Sequence, residues 1–175
     1  MTNYDKIYEY TADNYGLITS SEAKTLGIPN VELVKLAHRG RLRRLGYGVY
    51  RIEHYVPTVN DKFAEAVTLI GNEAAIYGES VLAMHGLALV NPSAIYVAVR
   101  NRLRKTIPPF IKVIHPEKTF NVVEYEGIPS QSVFEAIITC KNIVMTDRLA
   151  DAIDEAKRQG LISSAESKKA RKELL

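Results

Sequence analysis

Residues 16–52 read GLITSSEAKTLGIPNVELVKLAHRGRLRRLGYGVYRI, and this stretch decides the fold. Thr19 or Ser20 can cap a short helix expected over 21–26, with Ala23 and Leu26 turned inward; with Thr19 as cap, Glu22 stands at capping-box spacing. Gly27 stops that helix, Ile28 dips into the core from the turn, and Pro29 cannot continue it. Asn30 is placed either to cap the following helix or to hydrogen-bond a nucleic acid. That second helix is expected over 31–39. Its inner stripe reads as Leu33, Val34 and Ala37, with Val31 and His38 at one edge. Glu32, Lys35 and Arg39 fall on the outer side, with Leu36 beside them. Gly40 ends it.

A hairpin follows, with strands expected over 41–45 and 49–52 around a tip of Gly46, Tyr47 and Gly48. Leu42 faces inward, Arg41 and Arg43 face outward, and Arg44 flanks the tip. From Lys35 to Ile52 the charged side chains are Lys35, Arg39, Arg41, Arg43, Arg44 and Arg51, with no acid between them. Helix, turn, helix and basic hairpin in this order predict a winged helix-turn-helix, in which the second helix of the motif enters the major groove. The candidate DNA-binding residues are Asn30, Lys35, His38, Arg39, Arg41, Arg43, Arg44, Tyr47 and Arg51. The cations suit phosphate contacts, which set register and affinity but carry little sequence information. Arginines in a wing can also reach a narrow minor groove. Tyr47, between two glycines, can lie on DNA or pack at the base of the wing.

Upstream, residues 4–14 read as a helix with Ile7, Tyr8 and Thr11 on one face, and Leu17 and Ile18 as a short buried extended link. Downstream, 55–57 reads as a boundary. The expected organisation is therefore α/β (α+β): a winged-helix DNA-binding domain over 1–57 and a small mixed helix–sheet domain over 58–175. In the second domain helices are expected over 62–70 and 80–85, strands over 94–99, 110–114 and 120–125, and helices over 130–140, 147–159 and from 163 or 164 onward. Ser130 is the expected cap of the first of these last three helices, and Leu149, Ala152, Ile153 and Ala156 the inner face of the second.

The 175 residues are 46% hydrophobic and 25% charged, as in a globular chain, and the net charge of +3 permits a nucleic-acid partner without requiring one. No apolar run reaches membrane-spanning length, and the N-terminus lacks a signal peptide's apolar segment, so a cytoplasmic protein is expected. Cys140 is the sole cysteine, which excludes an internal disulfide and reads as a small buried hydrophobe. His38, His54, His85 and His115 lack metal-ligand spacing. Glu124 and Glu126 would share a face if their segment were a strand, which needs no catalytic explanation. GESVLAMHG has no nucleophile-elbow spacing, and Gly46 and Gly48 do not make a phosphate loop. No enzyme, cofactor or metal is expected.

GLITSSEAKTLGIPN, LVKLAHRGRLRRLGYGVYRI, AAIYGESVLAMHGL and PSAIYVAV together resemble the AbiEi-like antitoxins and transcriptional regulators of AbiE-type (type IV) toxin–antitoxin systems. The resemblance implies an N-terminal winged helix that binds inverted repeats in its own promoter and a C-terminal domain needed for antitoxicity. It also implies a functional link to a nucleotidyltransferase-like toxin without a stable complex. Autorepression through double-stranded DNA is thus the expected function, with a homodimer or cooperative binding to repeated sites supplying affinity. The alternative is a protein-interaction module whose basic wing is only solvated.

Overall fold

The computed structural model describes residues 1–71 and 73–175. The chain divides into two compact units, Met1–Gly71 and Asn72–Leu175. The sequence suggested a boundary near Pro57; the division falls one helix later.

The first unit opens with α1 (Asn3–Ala12). Thr2 and Asp5 close its start reciprocally: Asp5 N–H donates to Thr2 Oγ1 at 3.1 Å, and Thr2 N–H donates to Asp5 Oδ2 at 2.8 Å. Ile7 and Thr11, four residues apart, are buried, whereas Tyr8, expected with them, is exposed. Leu17–Thr19 is not merely a link but a strand, β1. It leads directly into α2 (Ser20–Thr25), where Thr19 and Glu22 form the expected capping box.

The next helix, α3, spans Asn30–His38, with Pro29 rather than Asn30 in the cap position and no side-chain cap bond. Then come β2 (Leu42–Gly46) and β3 (Val49–Ile52), joined by a two-residue turn at Tyr47 and Gly48. The sheet order is β1-β3-β2, all antiparallel. A register shift between Arg44 and Gly46 bulges β2 near the turn. Ile7, Ile18, Ala23, Ile28, Leu33, Leu36, Leu42, Tyr50 and Ile52 form one core. This order of helices and strands is consistent with a winged-helix-like fold.

α3 corrects the expected inner stripe. Leu33 and Leu36 are buried, while Val31 and Val34 are 54% and 50% exposed. Val34 and Leu36 lie about 200° apart around a helix, so they cannot both face the core. The larger apolar side chain goes inside, against Ile28 and Leu42 of the same cluster. Asn30, Val31, Val34, Lys35 and His38 then share the exposed side.

The unit closes with α4 (Asp61–Ile70), which holds the segment after β3. Tyr55 Oη donates to Asp61 Oδ1 at 2.8 Å. α4 also comes down on the hairpin: a Cβ at Gly46 would sit 2.7 Å from Leu69 Cδ2.

The second unit carries a five-stranded mixed sheet of order β6-β5-β4-β8-β7. Its strands are β4 (Ala75–Ile76), β5 (Ile95–Ala98), β6 (Ile111–Ile114), β7 (Val122–Tyr125) and β8 (Ile128–Gln131). β4 and β8 were not legible in the sequence. Ser130 belongs to β8 and caps nothing; Ser132 caps α6 (Val133–Thr139). The remaining helices are α5 (Glu79–Met84), α7 (Thr146–Arg158) and α8 (Ser164–Leu174). Leu149, Ala152, Ile153 and Ala156 of α7 are buried, as their spacing requires. Buried Gln131 ties sheet to helix: its Oε1 accepts from Gly78 N–H and its Nε2 donates to Thr139 Oγ1, each at 2.9 Å. Cys140 is buried, and burial pushes its thiol up to about 12. No helix among the described residues is long and apolar enough to cross a membrane.

His85 follows α5 and packs on Tyr125, with ring centroids 4.2 Å apart. Burial pushes its imidazole down to about 4, against about 6.5 in an unfolded chain. The unfolded state therefore takes up the proton first, and stability present above pH ~6.5 is lost as pH falls toward ~4. Denaturant unfolding at pH 7 and 5.5 is expected to show this loss in the native chain and a smaller one in His85→Gln. An equal loss in both would contradict the assignment.

Candidate nucleic-acid interface

The start of α3, the start of α2 and the turn of the hairpin meet at Ser20. Its backbone N–H donates to the Gly48 carbonyl at 2.8 Å. Its Oγ donates to Asn30 Oδ1 at 2.8 Å. Asn30 therefore neither caps its helix nor stands alone; its oxygen joins α3 to α2. Its Nδ2 hydrogens have no protein acceptor among the described residues. Gly48 has φ +65°, and a Cβ there would lie 3.3 Å from Ser20 Oγ. The turn needs glycine both for its left-handed backbone and for its closeness to α2.

Tyr47 projects from this turn and is 93% exposed. Packing at the base of the hairpin is thereby ruled out. The core position belongs instead to Tyr50 on β3, which the sequence reading did not single out.

The basic run is continuous in sequence but not in space. Lys35 Nζ lies 3.3 Å from Glu32 Oε1, one turn earlier on α3. Arg43 Nη2 donates to Glu53 Oε1 at 2.7 Å. Arg51, placed with the DNA-facing cations by its sequence, is drawn into the unit, with its side chain only 17% exposed. Its Nη1 lies 3.7 Å from Glu65 Oε1 on α4, and its Nε donates to the Tyr15 carbonyl at 3.3 Å. Its Nη2 is buried with no hydrogen-bond partner. Arg51 thus joins β3 to α4 rather than facing outward.

Arg41 precedes β2 and lies over the Tyr4 ring of α1, 4.0 Å from its centroid, in cation–π geometry. Arg44 Nε reaches only the nearby Gly46 carbonyl, at 3.3 Å. Arg39 caps the end of α3 and is exposed. Among the described residues, no carboxylate pairs with Arg39 or Arg44. His38 is exposed on the same side of α3 as Val34. This surface offers two unpaired guanidiniums, two easily exchanged exposed ion pairs, a free amide and a projecting phenol. Such groups can bind an anionic polymer but offer no nucleophile–base pair.

Glu124, Glu126 and His115 of the second unit do not come together as a site. Glu126 lies in the turn after β7 with φ +51°, so it does not share a strand face with Glu124. His115 is exposed beyond the end of β6. Cavities of about 440 and 250 Å³ in the second unit are lined by none of the three. No group of three or more His, Cys, Asp or Glu among the described residues is placed to hold a metal ion.

Residues 5–52 match the family model described as transcriptional regulator, AbiEi antitoxin. The match begins two residues into α1, runs to the end of β3 and stops before the SVLAMHGL and PSAIYVAV stretches. No curated protein matches the chain significantly.

The Arg43 guanidinium, by hydrogen bond and charge, holds the Glu53 carboxyl below its ordinary range. The pair's contribution is therefore present at neutral pH and is lost as pH falls through the lowered Glu53 midpoint. In Arg43→Gln that midpoint should rise toward the free value of about 4.3, read from the Glu53 carboxyl carbon by NMR. An unmoved midpoint would show that the two side chains are not paired in solution.

Proposed function

We propose that the chain is a sequence-specific transcriptional regulator that binds double-stranded DNA through α3 and the β2–β3 hairpin. On this reading α2 and α3 form the helix-turn-helix, α3 enters the major groove and the hairpin is the wing. The observation that carries it is the Ser20 junction, which fixes the wing turn beside the start of α3. One rigid piece then presents Asn30, Lys35 and His38 from the helix and Arg44 and Tyr47 from the wing. The AbiEi match over 5–52 supports the regulatory role. The finer reading is autorepression at inverted repeats in its own promoter, as the antitoxin of a type IV system acting in the cytoplasm; it rests on the sequence resemblance and on the absence of a signal-peptide segment. A homodimer or cooperative binding would supply affinity beyond a single module. Antitoxicity would reside in the second unit and oppose a nucleotidyltransferase-like toxin without a stable complex.

The cations divide by what holds them. Arg39 and Arg44 are ready to take phosphates, whereas Lys35 and Arg43 must first leave Glu32 and Glu53. Water and salt screen exposed pairs of that kind, so the exchange is easy. Arg41 can reach phosphate from the Tyr4 ring, and Arg51 acts only by positioning β3.

Each phosphate neutralised contributes about −0.9 to the slope of log K against log salt. Arg39→Ala and Arg44→Ala are each expected to flatten that slope by about one, measured by fluorescence anisotropy on the duplex upstream of the gene. Native slopes in both variants would contradict the proposed face.

A further inference from the structure

The exposed side of α3 is not uniformly polar. Five residues share it, and taken around the helix at about 100° per residue, Val34, His38 and Val31 lie at its centre, with Asn30 and Lys35 at its two margins. Val31 and Val34 contribute little to the core, since each leaves about half its surface in water. β-Branched side chains also favour a helix less than most alternatives. The two valines therefore do little for the fold of the helix they occupy.

We propose that Val31 and Val34 read sequence by seating the 5-methyl groups of thymines in the major groove. The inference rests on α3 being the groove-entering helix. Apolar side chains distinguish thymine from cytosine there through its methyl group. The two valines are three residues apart, about 4.5 Å along the helix axis, which is close to the ~3.4 Å step between base pairs. Valine also has only one side-chain rotatable bond, so its branched end is pre-positioned. The free Nδ2 of Asn30 lies at the helix start, where it can donate to an adjacent base edge.

The surroundings favour DNA over a protein partner. The margins of the valine pair carry Lys35 and the amide of Asn30, and the nearby carboxylate of Glu32 is already held by Lys35. Specific protein–protein contacts bury about 1,200–2,000 Å² in total, far more than two half-exposed side chains supply. A thymine methyl is matched in size to such a patch.

Valines carry no charge, so their role must appear as selectivity and not as salt dependence. The test begins with the full chain selecting duplexes from a random-sequence pool. Each thymine of the selected site is then replaced singly by deoxyuridine, which keeps the pairing edge and removes only the methyl. At one or two positions the native chain should lose about fourfold in affinity, the worth of one methyl taken out of water at about 0.8 kcal/mol. In Val31→Ala or Val34→Ala, which shorten the apolar contact, the matching replacement should cost clearly less than in the native chain, while the salt slope stays native. Alanine at these exposed helical positions favours the helix, so folding is not at risk.

A scan in which no thymine responds, or in which the variants respond as the native chain does, overturns the methyl reading while selective, salt-dependent binding leaves DNA recognition standing. If no duplex is enriched, or a protein ligand competes for the same face in place of DNA, both readings fall together.

Discussion

The geometry of the first unit depends on what Ser20 does with two hydrogens. Its backbone N–H holds the Gly48 carbonyl and its hydroxyl holds Asn30 Oδ1. Neither bond is worth much by itself, about 1 kcal/mol net. Their value is geometric, because they join the first residues of both α2 and α3 to the tip of the hairpin. Gly48 lets the hairpin turn come close enough for the bond to form. The Thr19–Glu22 capping box fixes the start of α2 in turn. Without this junction, α3 and the hairpin would share a core but would lack a direct tie at their outer ends.

Charge is arranged around the same frame. Six cations follow one another in the sequence between 35 and 52, yet the fold brings a carboxylate to three of them. Glu65 and the Tyr15 carbonyl make Arg51 part of the packing between β3 and α4. Glu32 and Glu53 hold Lys35 and Arg43 loosely at the surface, while Arg39 and Arg44 remain without carboxylates. The uncomplexed chain thereby avoids concentrated like-charge repulsion and keeps pairs that a polyanion can displace. On the proposed function, phosphate affinity falls to the guanidiniums and sequence reading to the valines of α3.

Signals carried by neighbouring residues were legible in the sequence. The capping box at Thr19, the stop at Gly27, the hairpin turn and the inner face of α7 depend on spacing and local backbone chemistry. What was not legible depends on distant partners. β1, β4 and β8 are two to four residues long and exist because another strand pairs with them. The phase of α3 could be read two ways, since Val34 and Leu36 are both apolar; the core that Leu36 joins with Ile28, Leu42 and Ile52 settles it. Arg51 looks like any wing cation until α4, which begins nine residues after the end of β3, brings Glu65 to it. The same cause limits the candidate interface. Residue type identified its cations, but burial and pairing decide which of them are free to act.

On the proposed function, the outer side of α3 and the hairpin turn form one DNA-binding surface. The most direct test is an NMR titration of the ¹⁵N-labelled full chain with the duplex upstream of its gene, following backbone amides. Shifts are expected to concentrate in residues 30–39 and 43–48, moving together along one binding curve. Shifts confined to other elements, with α3 and the turn unmoved at saturation, would contradict it.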